Sequence, residues 1–320
     1  MLLSLLVSNS RFSGFFPQWR QVLVVILISF SGLCLGVTHH AGIRPIIDCA
    51  TLKQHLLHSD PNLLLVDVRE SDAYQHEHLP GAINLPVEQT FNQHGDRTRI
   101  ASLEQFRELL SQGGVKNTDY VVLYDDGTFR DAAHIFWVME TYGHNKLSVL
   151  DGGIAAWVAQ HGEVSSNVTP RPVTKYVPHI TTHRLSTELS TLLAIKSPNV
   201  AIIDARNRNE YLGIRSKAKR KGHIPSAISI PWSENLQSDG QSLKVKPTPA
   251  LQSLYGDLDK KEHLITYCNR GKESAVTYLV LRSLGYNVSV YDGAWLEWGN
   301  DMQLPIEIGP TAAESAPHAR

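Results

Sequence analysis

Cysteine is scarce in this chain, with three residues (Cys34, Cys49 and Cys268) among 320. That scarcity excludes a disulfide framework, and the spacing lacks the paired Cys and His of a structural zinc site. An excess of charge is also missing, because 30 Lys and Arg face 31 Asp and Glu for a net charge of −1. Such a balance offers no global field for nucleic acid. Beyond Val37 no apolar run is long enough to span a bilayer as a helix. Compositional bias is absent too: 42% hydrophobic and 19% charged residues argue against a disordered, collagen-like or coiled-coil chain. The 15 histidines are scattered, and the adjacent His39 and His40 lie near the amino terminus, so neither a metal nor a cofactor is expected.

Acidic residues are absent before Asp48, whereas Arg11 and Arg20 precede the uncharged run from Val22 to Val37. Small residues at Cys34 and Gly36 complete the pattern of a secretory signal over residues 1–36, which implies export, to the periplasm. An uncleaved amino-terminal anchor is the alternative, and only then is a membrane a partner. Leu33, where a small residue is expected, argues against lipidation of Cys34.

The length predicts about two domains, and the chain repeats itself accordingly. LLLVDVR (Leu63 to Arg69) recurs as VAIIDAR (Val200 to Arg206), and HLPGAINLP (His78 to Pro86) as HIPSAISIP (His223 to Pro231). VVLYDDG (Val121 to Gly127) recurs as LITYCNRG (Leu264 to Gly271), and VLDGGIAAW (Val149 to Trp157) as VYDGAWLEW (Val290 to Trp298). The offsets drift between 137 and 145 residues because the second copy carries an insertion after Tyr211. Within each copy, short β-rich runs alternate with helical patterns at Ser102–Ser111, Asp131–Tyr142 and Glu273–Ser283. The expected fold class is α/β, with a central parallel sheet flanked by helices in each copy. The boundaries read as domain 1 at 43–160, a proline-containing linker at 161–179, domain 2 at 180–305, and a disordered tail at 306–320.

Cys268 ends a predicted strand and precedes a helix, at the carboxyl edge where open α/β domains place their sites. Loop N–H groups and the helix terminus converge there, so a thiolate is favoured. Lowering a cysteine pKa from about 8.5 to about 6.5 raises its ionised fraction at pH 7 from roughly 3% to roughly 75%. Arg270 and Lys272 add positive charge, and Gly271 supplies the conformational freedom to curl the loop. The first copy is an internal control. Asp125 stands at the matching position and cannot carry sulfur, so only the second domain is expected to act.

At these residues the chain resembles the tandem-domain rhodaneses, the thiosulfate and 3-mercaptopyruvate sulfurtransferases. The resemblance covers about residues 43–305 and rests on D-x-R in both copies, G-H-I-P, Y-C-x-x-G and Y-D-G-x-W-x-E-W. It implies two rhodanese-type domains, packed with Cys268 near their interface. It also implies ping-pong transfer, in which Cys268 takes sulfur from a small anionic donor and passes it to cyanide or a thiol, a thioredoxin-like protein included. Asn269, Arg270, Gly271, Lys272, Glu273 and Ser274 would hold the persulfide, as an oxyanion hole holds its anion. Relatives that use mercaptopyruvate carry a neutral loop, so Arg270 and Lys272 point to thiosulfate. Glu210 falls where vertebrate-type enzymes place a substrate-binding Arg, with Arg208 as its substitute.

Arg206, paired with Asp204 in D-x-R, reads equally as a substrate contact and as half of a salt bridge that fixes the strand end, and the two roles are compatible. Trp232 divides between pocket wall and interdomain packing, whereas Trp295 and Trp298 are structural, since the first copy retains Trp157. The basic run Arg215, Lys217, Lys219, Arg220 and Lys221 is ordinarily a solvated loop, and its functional reading is a positive field for anionic donors. Cys49 reads as a packed thiol. A cysteine phosphatase or arsenate reductase needs Arg six residues after the cysteine, and Ser274 stands there. A non-catalytic binding module is the remaining alternative, and the retained Cys268 loop argues against it.

Overall fold

The computed structural model describes residues 43–94 and 97–310, the side chains of residues 93, 94, 97 and 98 excepted. The amino-terminal apolar run with Cys34, and residues 311–320, lie outside the described residues. The first half runs β1 (Ile46–Ile47), α1 (Cys49–Leu57), β2 (Leu63–Asp67), α2 (Ser71–His76), β3 (Ile83–Asn84), β4 (Phe91–His94), β5 (Arg97–Ile100), α3 (Leu103–Gln112), β6 (Tyr120–Tyr124), α4 (Arg130–Thr141), β7 (Leu147–Leu150) and α5 (Gly153–Ala159). The second runs β8 (Leu185–Ser186), α6 (Glu188–Ala194), β9 (Val200–Asp204), α7 (Arg208–Tyr211), β10 (Ile228–Ser229), β11 (Leu236–Ser238), β12 (Leu243–Val245), α8 (Thr248–Leu254), β13 (His263–Tyr267), α9 (Lys272–Ser283), β14 (Asn287–Tyr291) and α10 (Ala294–Trp298).

Each half builds a five-stranded parallel sheet, in order β1-β7-β6-β2-β3 and β8-β14-β13-β9-β10. The two orders correspond strand for strand, as duplication requires. YVVLY of β6 is buried along its whole length because helices cover both faces of the sheet, which is why the run shows no polar alternation. Helix α3 starts at a capping box in which Ser102 accepts from the Gln105 N–H and the Gln105 side chain accepts from the Ser102 N–H.

Helices α4 and α9 pack against each other and join the two halves. From Ala132 to Thr141, and from Ser274 to Leu281, every residue is buried. A helix enclosed on all sides carries no polar stripe. A charged cluster interrupts this apolar seam: the Glu140 carboxylate of α4 accepts from Arg282 (2.6 Å) and from the Tyr278 hydroxyl of α9.

Two antiparallel hairpins, which the sequence pattern did not announce, are exchanged across the seam. The β11–β12 hairpin of the second half reaches the first, where the Leu243 N–H donates to Gly127 O (2.8 Å) and the Val245 N–H to the Asp151 carboxylate (2.9 Å). The β4–β5 hairpin reciprocates, with the Ile100 N–H donating to the Asp292 carboxylate (3.1 Å). Each half therefore closes the carboxyl edge of the other's sheet.

The connector is not a free linker. Tyr176 is buried against the first half, the Thr174 N–H donates to Ser111 O (3.0 Å), and Arg171 pairs with Asp119 (3.1 Å). The first residues of the expected disordered tail are ordered, because Glu307 exchanges backbone hydrogen bonds with His223 (2.9 and 3.0 Å) and Ile306 packs on the core. Among the described residues no helix is long and apolar enough to cross a membrane.

Candidate active site

The motif residues of the second half interlock behind Cys268. Tyr267 pairs in register with Asp204 across β13 and β9. Its hydroxyl donates to the Asp204 carboxylate (2.6 Å) and accepts from the Ile224 N–H (3.1 Å), which ties the H-I-P segment to the same point. Asp204 also accepts from Arg206 Nε (2.9 Å), and the Arg206 guanidinium stacks 4.1 Å over Trp295. The Trp295 N–H in turn donates to Cys268 O (2.8 Å). The spaced motifs are thus one clamp on the backbone of the cysteine.

The loop from Cys268 to Gly271 then turns into α9. Gly271 has φ +98°, a conformation that favours glycine, and its N–H reaches Cys268 Sγ at 3.1 Å. The Ser274 hydroxyl donates to Sγ at 3.4 Å. The sulfur is fully enclosed, with 0% of the residue exposed. Burial pushes the thiol up to about 11, the Glu273 carboxylate pushes in the same direction, and the Ser274 and Arg270 donors act against them. This reverses the expected lowering. The expectation counted the donors of the loop but not its enclosure at the seam, where Trp137 of α4 stands 3.7 Å from where a Gly271 Cβ would be.

A titration separates the two effects. The thiolate fraction of a group with pKa near 11 rises about tenfold per pH unit between pH 6 and 9. Alkylation of Cys268 by iodoacetamide is expected to follow that slope without levelling. A plateau above pH 7 would show that the loop outweighs burial.

The other expected site residues divide. Asn269 is buried and its amide donates to Glu210 Oε1 (3.1 Å), so Glu210 braces the loop from α7. Arg270 is exposed, and among the described residues its side chain has no hydrogen-bond or ion-pair partner. Lys272 turns the other way: its ammonium pairs with Glu88 (2.9 Å) and Asp131 (3.1 Å), both from the first half, so its charge is already matched. The expected use of Lys272 as an anion ligand is corrected on that ground. Its partners were invisible in the sequence because they belong to the other repeat.

Arg206 adopts the salt-bridge alternative, with its side chain and that of Asp204 both at 0% exposure. Arg208 is exposed and lies 5.4 Å over the Tyr211 ring. Trp232 is half-buried beneath Arg130 of α4 (5.7 Å), as interdomain packing expects.

The basic run splits as well. Arg220 donates to Trp298 O at the end of α10 and to Leu304 O in the segment that follows (both 2.9 Å). Arg215 and Lys217 instead line a cavity of about 230 Å³ with Asn207, Glu210, Ser216 and Glu273.

In the first half, the Asp125 carboxylate accepts from the Gly127 N–H (2.9 Å) and the Ala132 N–H (3.4 Å). Its loop is an anion cradle filled by its own side chain, which burial pushes up to about 6. Cys49 and Cys268 are both free and buried, and burial also pushes the Cys49 thiol up.

Comparison with known proteins agrees with this duplication. The Rhodanese-like domain family matches residues 49–160 and again 187–301. A Mycobacterium tuberculosis protein provisionally named thiosulfate sulfurtransferase is 36% identical over 265 residues, 78% of this chain and 93% of its own. The thiosulfate sulfurtransferase of Corynebacterium glutamicum is 32% identical over 263 residues, 78% of this chain and 86% of its own. Among solved structures, Escherichia coli SseA, described as a 3-mercaptopyruvate sulfotransferase, superposes with TM-score 0.69 at 25% identity over 79% of this chain and 99% of its own. EanB, solved with ergothioneine, shares the fold at TM-score 0.72 and 21% identity, over 83% of this chain and 70% of its own.

Proposed function

The chain belongs to the rhodanese family, with two copies of its domain, and from that premise we propose that it moves a sulfane sulfur from thiosulfate to a thiophilic acceptor through a persulfide on Cys268. The observation that carries this reading is the Cys268 sulfur held between the Gly271 N–H at 3.1 Å and the Ser274 hydroxyl at 3.4 Å. The Cys268 thiol first loses its proton, which requires water to reach the enclosed sulfur. The thiolate then attacks the outer sulfur of thiosulfate, the new S–S bond forms as the old one breaks, and sulfite leaves with the electron pair. The loop donors stabilise the negative charge on the terminal sulfur of the persulfide. Cyanide or a thiolate, free or on a thioredoxin-like protein, attacks that sulfur and returns the Cys268 thiolate.

Thiosulfate is favoured as donor by Arg270, an exposed guanidinium in the loop. A charge-assisted contact of this kind contributes about 1.5–3 kcal/mol. Arg270→Gln is therefore expected to raise KM for thiosulfate at least about tenfold in a cyanide-coupled assay, while KM for cyanide stays level. An unchanged thiosulfate KM would remove Arg270 from the donor site. The second reading is mercaptopyruvate as donor. It draws on the match to SseA and on Lys272, whose charge is engaged elsewhere. The intact mass of the desalted protein after incubation with either donor decides between them, since only the true donor adds one sulfur that cyanide removes. For location, the amino-terminal pattern supports export, tested by the amino-terminal residue of the protein recovered from the periplasm.

A further inference from the structure

Beside the Cys268 loop lies a cavity built from both signs of charge. Glu210 and Glu273 face it together with Arg215 and Lys217, and Asn207 and Ser216 complete the lining. Among the described residues Glu273, Arg215 and Lys217 each lack a side-chain hydrogen-bond or ion-pair partner, so opposite charges converge on one space without closing on each other. The arrangement is held in place. Ser216 Oγ accepts from Trp295 Nε1 (3.0 Å) and donates to Arg220 O (2.7 Å), and Arg220 is anchored to the end of α10. Glu210 is held by Asn207 and by Asn269 (3.1 Å), the residue that follows the nucleophile.

We propose that this cavity is an acceptor subsite for a small amino-acid thiol such as L-cysteine, with Glu273 and Glu210 facing its ammonium group and Arg215 and Lys217 its carboxylate. The proposal rests on the reading of Cys268 as the sulfur carrier. A zwitterion matches both signs at once, whereas thiosulfate would meet two carboxylates. At about 230 Å³ the space is smaller than the roughly 300–1,000 Å³ of drug-sized sites, which suits a single amino acid better than a tripeptide. In the step itself the acceptor thiol loses its proton and its thiolate attacks the outer sulfur of the persulfide. A new S–S bond forms on the acceptor, the Cys268–sulfur bond breaks, and the Cys268 thiolate takes up the proton. No external oxidant or reductant is consumed.

The test uses the full chain loaded with thiosulfate, desalted, and mixed with L-cysteine, cysteamine or 3-mercaptopropionate, with loss of the added sulfur followed by quenched-flow mass measurement. For each thiol the rate in a variant is divided by the rate in the unmodified chain, which cancels the intrinsic reactivity of the thiol. Glu273→Gln is expected to slow L-cysteine and cysteamine about tenfold relative to 3-mercaptopropionate, which has no amine. Lys217→Gln is expected to slow L-cysteine and 3-mercaptopropionate by a similar factor relative to cysteamine, which has no carboxylate. Equal changes for all three thiols would overturn the subsite. Failure to load sulfur would instead sink the reading of Cys268. In that case binding of L-serine, a zwitterion of the same shape without a thiol, to the unloaded chain by ligand-observed NMR still decides, with loss of binding expected in both variants and no binding to the unmodified chain overturning the proposal.

Discussion

Cys268→Ala is expected to lower sulfur transfer by roughly four orders of magnitude or more, because removal of a covalent nucleophile leaves only the binding contribution of the site. The measurement is paired: thiocyanate formation from thiosulfate and cyanide, and the mass of the protein after exposure to thiosulfate alone. The unmodified chain should gain one sulfur and the variant none. The internal duplication sharpens the result. The first-half loop holds a carboxylate at the matching place, bonded by its own N–H groups, and Cys49 lies elsewhere, at the start of α1. No second cysteine stands in a comparable loop among the described residues, so residual sulfur gain in Cys268→Ala would contradict the mechanism rather than reveal a back-up.

Much of this site was legible because its parts are local or repeated. Asp204 and Arg206 are two residues apart, Cys268 and Gly271 three, and each motif has a counterpart in the other half that exposes its structural share. Trp157 at the place of Trp298 was enough to assign that tryptophan to the scaffold. The parts that stayed hidden depend on contacts between halves. Lys272 reads as an anion ligand until Glu88 and Asp131 are seen to hold it, and no pattern within the second repeat signals them. The strands of the exchanged hairpins are three or four residues long, too short to show a period of two, so the Asp239-Gly240 turn between β11 and β12 stood without a strand pattern around it. The enclosure of the thiol has the same origin, since α4 of the first half supplies the wall at Gly271. Local sequence fixes the donors around the sulfur, and the dielectric around it comes from a surface about 130 residues away in the chain.

The second large effect concerns stability. Asp204→Ala is expected to destabilise the chain by about 3–5 kcal/mol, because it strands a guanidinium that has no exposed surface. Arg206 would keep one hydrogen bond, to Gly222 O (2.8 Å), and its stacking on Trp295, neither of which neutralises its charge. The first half provides the control. Asp67 and Arg69 form the same motif at 2.7 Å, but the Arg69 side chain is 11% exposed, against 0% for Arg206. Water can reach the cation left by Asp67→Ala, so that variant should lose less. Denaturant unfolding of both variants measures the difference, and equal losses would show that burial is not the cause. The double variant Asp204→Ala with Arg206→Met removes the stranded charge and should recover part of the loss. Activity need not return with it. Trp295 lies under the guanidinium and donates to Cys268 O, so the same ion pair that holds the fold also fixes the backbone from which the nucleophile projects.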